Sequence, residues 1–305
     1  MSLELFYQSF SIKDCLSFIE GKEGFPFIKI ENDYANALIS VYGAQVLSYQ
    51  TKSNQQIANE DLLFVSESAY YEQGKAIKGG IPICWPWFGR DPEGLGRQMH
   101  GFARNMLWQL EETTSTENET VIVLSLSDAK DYRELWPYDF RLTLTITVAE
   151  TLTLSLKTTN TGDEAFKITQ AMHAYFAVAD IDQTQIKGLD KVKYIDTVNG
   201  LNKLVIQDQE ITVNQEVDRI YIDAPEKTFL LDKQLKRDII IQSKGSKTTV
   251  VWNPWIDISK NSADLSVDAY KRVICIETAN AAEDVIVIQP KESFTLEAKY
   301  SVRNI

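Results

Sequence analysis

Between Phe140 and Val148 every second residue is apolar (Phe140, Leu142, Leu144, Ile146, Val148), and Arg141, Thr143, Thr145 and Thr147 stand between them. Strand side chains point alternately to two faces, so a β-strand buries one face of this stretch and wets the other; at the helical period the same residues would scatter around the cylinder. After Ala149-Glu150-Thr151 the alternation resumes at Leu152, Leu154 and Leu156, which predicts an antiparallel hairpin. A lone hairpin is marginally stable, so the rest of the chain must supply more sheet. Candidate strands lie at Phe27–Ile30 and Ala37–Leu47, with Asn32-Asp33 as a turn between them and Gly43 as a bulge, and Asp61–Ser66 is a further short apolar run. Val121–Leu126 is nearly all aliphatic and is expected to be buried on both faces. Lys167–Val178, Gln185–Lys187, Val273–Glu277, Val285–Ile288 and Ser293–Val302 follow, and Asp238–Gln242 with Thr248–Trp252 flank Ser243-Lys244-Gly245-Ser246 as a second hairpin. The only helical turns expected are short ones near Asp61–Tyr71 and Asp131–Leu135. Many short strands separated by Gly, Asn, Asp and Ser imply an all-β sandwich. No linker or repeat divides the 305 residues, and such folds reach about 250 residues or more as one unit, so a single domain over 1–305 is expected.

Charge and cysteine usage narrow the function classes. A net charge of −12 argues against nucleic acid as a partner, because that binding rests on a basic surface; an anionic ligand would need a local cluster of cations. Residues Met1-Ser2-Leu3-Glu4-Leu5 carry no basic, apolar and small-residue succession of a secretory leader. No apolar run approaches the roughly 20 residues of a membrane helix. Three widely spaced cysteines, Cys15, Cys84 and Cys275, suit free thiols in a reducing compartment, so a cytoplasmic location without membrane attachment is expected.

Special residue types crowd into Lys78–Arg104, KGGIPICWPWFGRDPEGLGRQMHGFAR. Gly79-Gly80 permits a backbone approach that a side chain would forbid, Pro82 and Pro86 restrict the chain to extended or turn geometry, and Trp85, Trp87 and Phe88 offer flat apolar faces. Such a window is either a packed aromatic corner or the wall of a pocket. It holds one of only two histidines, His100; the other is His173. No C-x-x-C, H-x-x-x-H or H-E-x-x-H spacing supports a metal site, and neither a G-x-S-x-G elbow nor a phosphate loop is present. What remains is two histidines, Glu277 and a few cations, a set suited to moving protons. Glu277 ends the interior-looking run Val273–Ile276. It is either partly desolvated, with a pKa raised toward that of a general base, or on the solvent face or paired with an arginine.

Taken in order, Lys78-Gly79-Gly80-Ile81-Pro82, Trp85-Pro86-Trp87-Phe88-Gly89, His100-Gly101-Phe102-Ala103-Arg104, His173-Ala174-Tyr175-Phe176, Trp252-Asn253-Pro254-Trp255 and Glu277-Thr278-Ala279-Asn280 resemble the aldose 1-epimerase (mutarotase) superfamily over roughly residues 25 to 300, and within it the hexose-6-phosphate mutarotases. The resemblance implies a large antiparallel β-sandwich of the galactose mutarotase type and interconversion of the anomers of a sugar phosphate without metal or organic cofactor. It implies Glu277 as the base at the C1 hydroxyl, His173 as the acid at the ring oxygen, and Lys78, His100, Arg104 and Asp218 as substrate-binding residues.

Two positions depart from the family pattern. Lys78 stands where arginine is usual, keeping the charge but losing the bidentate fork, and Met99 stands where some relatives carry a substrate-contacting glutamine, unless Gln98 replaces it. Arg90 and Arg97 could compensate or form a solvated charge pattern. A mutarotase of unphosphorylated aldoses and a non-catalytic carbohydrate-binding protein therefore stand as alternatives. Oligomeric state is not legible in the sequence.

Overall fold

The computed structural model describes residues 8–52, 60–127, 130–200 and 202–305; the leader-free reading of residues 1–5 lies outside them. Two eight-stranded sheets dominate. One, called here the site sheet, runs in the order Lys203–Ile206, Lys193–Asp196, Val217–Ile222, Thr248–Asn253, Val273–Asn280, Gln170–Met172 and Ile83–Cys84, with Tyr175–Ala177 also paired to Val273–Asn280. The other, the back sheet, runs Thr184–Lys187, Lys227–Asp232, Arg237–Lys244, Ser293–Asn304, Leu152–Asn160, Phe140–Val148, Thr120–Ser127 and Gln109–Ser115. A four-stranded sheet built from residues 16–51 and a small pair, Phe166–Ile168 with Ile286–Ile288, complete the strands. Every pairing of named strands is antiparallel, as the alternating pattern implies.

The two large sheets face one another across the main core. Leu144 and Ile146 meet Leu156 and Leu154 across the hairpin, closed as expected at Val148–Leu152. They share one apolar cluster with Met172, Ile274 and Ile276 of the site sheet, and Phe176 meets Tyr300 edge-to-face across the gap, centroids 5.6 Å apart. This is sandwich packing. No helix of the described residues is long and apolar enough to cross a membrane.

Five local expectations are corrected. Ala37–Leu47 is two strands, Ala35–Ser40 and Gln45–Thr51: Gly43 (φ 74°) turns the chain rather than bulging it, and the bulge lies at Leu38/Ile39. The residues around Gly245 form a corner between sheets, not a hairpin, because Arg237–Lys244 belongs to the back sheet and Thr248–Asn253 to the site sheet. Thr120–Ser127 leaves Val121 and Val123 half-buried on the outer side of the back sheet rather than buried on both faces. Lys167–Val178 is cut into three short strands by Thr169 and by His173-Ala174, whose backbone turns to the Pro82–Pro86 segment: Thr169 N–H donates to Pro86 O and His173 N–H to Pro82 O. Residues 61–71 hold no helix, since the Asp61 carboxylate takes up the N–H groups of Tyr49 and Leu63, whereas an unpredicted helix forms at Trp255–Asn261. The helical turn near 131–135 is present as Lys130–Arg133.

Candidate active site

The pleat of one strand separates core from site. Val273–Asn280 is buried along its whole length, yet its residues go two ways: Ile274 and Ile276 enter the main core, while Cys275, Glu277 and Ala279 face the opposite side. Cross-strand partners continue that second face. Val250 lies opposite Glu277, Trp252 and Tyr175 opposite Cys275, Ala171 opposite Ala279, and Asp218 opposite Trp252. Glu277 therefore rises from a small apolar floor of Cys84, Ala171, Val250 and Ala279, with Phe88 and Ile220 packed against it.

His173 reaches the same face by the same logic. Met172 and Ala174 on either side of it are in the main core, so the imidazole turns outward, its Nε2 3.4 Å from Glu277 Oε1. The Pro82 carbonyl holds the backbone, accepting from the His173 N–H at 3.0 Å. The ring lies flat on Tyr175, centroids 4.6 Å apart and planes 11° apart, with Trp252 edge-on at 6.2 Å.

His100 is third in the cluster, 5.6 Å from His173 between ring centroids. It sits at φ 65°, and the Gly89 N–H donates to its Nδ1 at 3.2 Å. An Nδ1 that accepts cannot carry the proton, so Nε2 is the ring's donor. The glycines explain how the chain comes this close. A Cβ on Gly101 (φ +71°) would stand 2.0 Å from the Trp85 carbonyl oxygen, and one on Gly80 (φ +60°) 2.2 Å from that of Val46.

Burial sets the electrostatics. It pushes the Glu277 carboxyl well above its ordinary range, helped by nearby Asp218 and opposed by Arg104. It pushes His173 well below its ordinary value, with His100, Arg104 and Lys78 adding to the effect. His100 falls to about 3 for want of solvent and because of the same two cations. Asp218 is raised, again by burial first. These surroundings thus favour an uncharged Glu277–His173 pair that holds one proton between adjacent atoms. Glu277 Oε2 and His173 Nδ1 are both buried without a hydrogen-bond partner among the described residues.

Beside this pair opens a cleft of about 300 Å³, lined among others by Lys78, Pro82, Arg104, Tyr175 and Asp264. Arg104 donates from Nη2 to Met99 O, and its Nε is buried and unpartnered. Lys78 Nζ stands 3.3 Å from an Asp264 carboxylate oxygen.

His173, Glu277 and His100 are thus brought together, and Lys78 and Arg104 line the cleft that adjoins them through Pro82 and Tyr175. Asp218 lies two strands from Glu277 on the same face. Glu277 neither faces water nor pairs with an arginine. Trp85 and Trp87 are packing residues: Trp85 is fully buried and donates to Thr158 Oγ1, and Trp87 donates to Gln98 O beneath the Arg97 guanidinium. Phe88 meets His100 edge-on. Arg97 is tied to Asp91 and to Leu135 O, Arg90 is exposed, and Gln98 is engaged by Asn105 and Gly74 O, so none of the three is free in the cleft. Asn253 and Asn280 hold backbone carbonyls of Tyr270, Val273 and Gly245. Tyr175 and Asp264 were missed as site residues. Tyr175 was findable, since a residue two positions after His173 shares its face; Asp264 was not, because only the turn after the Trp255–Asn261 helix brings it to Lys78.

Among the described residues no group of three or more His, Cys, Asp or Glu side chains is placed to hold a metal ion. Residues 26–301 match the family described as Aldose 1-epimerase. A protein of Cenchrus ciliaris, provisionally named a glucose-6-phosphate 1-epimerase, is 33% identical over 267 residues, covering 85% of this chain and 78% of that one. A protein of Escherichia coli K12 with the same provisional name is 31% identical over 264 residues, 87% of this chain and 86% of its own length. The crystal structure of a provisionally named mutarotase from Salmonella typhimurium superposes with a TM-score of 0.89 at 28% identity, covering 97% of this chain and 96% of that one.

Proposed function

The chain belongs to the aldose 1-epimerase family and is an isomerase of that kind, and we propose that the sugar whose anomers it interconverts is a hexose 6-phosphate. The observation that carries the chemistry is the buried His173–Glu277 contact of 3.4 Å. The C1 hydroxyl oxygen and the ring oxygen of an aldose share one carbon, so a base for one and an acid for the other must lie side by side, as these two do.

In the proposed reaction Glu277, as carboxylate, takes the proton of the C1 hydroxyl. The C1–ring-oxygen bond breaks with its electron pair going to the ring oxygen, and His173 delivers a proton there. Rotation about C1–C2 and the reverse transfers close the other anomer. The carboxylate–imidazolium form needed at the start and the uncharged form favoured by burial differ only in the position of one proton, so no proton exchange with water is required. A sugar hydroxyl donating to the unpartnered Glu277 Oε2 favours the carboxylate. His100, whose Nε2 carries its proton, donates to a sugar oxygen, and Asp218 accepts from sugar hydroxyls at the far side of the face.

Phosphate is assigned to the cleft beside the pair. In a chain of net charge −12, Lys78 and Arg104 line one hollow, and the named relatives in C. ciliaris and E. coli carry the glucose 6-phosphate name. The second reading, an unphosphorylated aldose, is favoured by one fact: Lys78 already has a counter-ion in Asp264. A non-catalytic sugar binder would not require an acid and a base in contact. We further propose that the chain acts as a single domain over 1–305 and in the cytoplasm, where its cysteines, free in the structure, would remain reduced.

The roles are tested by inversion-transfer NMR on glucose 6-phosphate at anomeric equilibrium. Glu277→Gln and His173→Asn should each slow enzyme-dependent exchange by roughly 10²–10⁴, the scale of one proton-transfer group, with the far-UV circular dichroism of the parent. Near-parent exchange in both variants would refute the assignment.

A further inference from the structure

The cleft contains a charge that a phosphate site does not call for. Lys78 sits on the Lys78–Pro82 segment that the His173 backbone bonds to, and it is close enough to lower the pKa of both histidines by its field. Its ammonium is engaged by Asp264 at 3.3 Å, with about a quarter of each side chain exposed. Among the described residues Asp264 is the one carboxylate within ion-pair distance of Lys78. Asp264 lies on the turn after the Trp255–Asn261 helix, anchored by its neighbour Leu265, which is buried. Both side chains line the same hollow as Arg104.

From this juxtaposition we propose that Asp264 sets the phosphate affinity of the cleft: it is an internal counter-ion that holds Lys78 before substrate binds and that the substrate's phosphate must displace. The inference rests on the hexose 6-phosphate reading and sharpens it. A neutral hydroxyl cannot outcompete a carboxylate for an ammonium group. A phosphate near its dianionic state can, because it brings nearly two charges and three acceptor oxygens that Arg104 shares. Lys78 is thereby withheld from neutral sugars and released to the ester. The price is affinity: the displaced carboxylate stays near the bound anion and repels it. Lys78, a compact charge on a flexible stem, can swing between the two partners, which a bidentate arginine–carboxylate pair resists.

The test is Asp264→Asn, which keeps size and hydrogen bonding and removes the charge, with Asp264→Glu as the charge-preserving control. Anomer exchange is measured by NMR over a range of glucose 6-phosphate concentrations, and inorganic phosphate is titrated as an inhibitor. With Asn, the KM for glucose 6-phosphate and the inhibition constant of inorganic phosphate should both fall by about three- to tenfold, the scale of one partly screened charge contact, while Glu restores values near the parent's. A KM and an inhibition constant that rise or stay constant in the Asn variant, in a parent that does exchange glucose 6-phosphate, would overturn the role of Asp264 alone. A parent that accelerates free sugars but not the ester would overturn the substrate reading and this inference with it.

Discussion

Replacing Gly101 by alanine isolates what the glycine does for the site. The added Cβ would lie 2.0 Å from Trp85 O and 2.3 Å from its carbonyl carbon, both main-chain atoms that no rotamer change can move aside. That oxygen also accepts from the Phe102 N–H at 3.0 Å and the Ala103 N–H at 3.2 Å. Making room therefore means losing two backbone hydrogen bonds at roughly 1 kcal/mol each, adding about 1 kcal/mol for a side chain at φ +71° and about 1 kcal/mol or more of overpacking. The sum is about 4 kcal/mol, or on the order of a 10 °C fall in Tm for a domain of this size. His100 is the preceding residue and must move as well, so kcat/KM should fall about tenfold or more through misplacement of its donor. Gly94→Ala is the matched control: its φ is +69° and no atom lies within 4 Å of its Cβ, so only the backbone term of about 1 kcal/mol applies. Thermal unfolding followed by circular dichroism, alongside anomer exchange, decides it. Equal Tm losses in the two variants, or normal exchange by Gly101→Ala, would show that the close approach of Gly101 to Trp85 O neither stabilises the fold nor positions His100.

Further predictions concern charge. Glu277 holds its proton in the fold but ionises near 4.5 when unfolded, so the unfolded chain binds fewer protons above that pH and the fold loses stability as pH rises through it. Glu277→Gln should therefore be more stable than the parent at pH 7 by about 0.5–2 kcal/mol, with the gain shrinking toward pH 4; an equal or lower Tm at pH 7 would contradict this. Because burial depresses His173, the pair accepts a second proton only well below pH 6.5, and kcat at pH 5.5, measured at saturating glucose 6-phosphate because the ester's own phosphate protonates near pH 6, should stay within about twofold of that at pH 7. A titration centred at 6.5 would show that His173 is solvated. Lys78→Ala and Arg104→Ala should raise the KM for glucose 6-phosphate by about tenfold, the scale of a charge-assisted contact, and act less on any free sugar that is turned over. Equal effects on ester and free sugar would remove phosphate contact from both residues.

What could be read in the sequence follows from period and composition. The Phe140–Leu156 hairpin was legible because alternation over nine residues has one physical reading. The corner at Gly245 was not, since a four-residue polar link between two apolar runs looks the same whether the strands pair or part to different sheets; the contact of Gly245 with Thr295 O is made only in three dimensions. Strands such as Val217–Ile222, which carries Asp218, lack clean alternation and take their place from their neighbours. His173 and Glu277 stood out through rarity and an interior-looking run, but their 3.4 Å contact depends on the Gln170–Met172 and Tyr175–Ala177 strands bracketing Val273–Asn280. The Lys78–Asp264 pair joins residues far apart in the chain and leaves no local trace.

In the proposed reaction the His173–Glu277 pair opens and closes the ring of a hexose 6-phosphate. The most direct test is anomer exchange by NMR at equilibrium for glucose 6-phosphate, glucose and galactose with the parent protein, the spontaneous rate of each subtracted. Acceleration of the phosphate ester well above that of both free sugars is predicted. Equal or greater acceleration of free glucose or galactose would contradict the phosphate assignment, and no acceleration of any of the three would contradict the role of the pair itself.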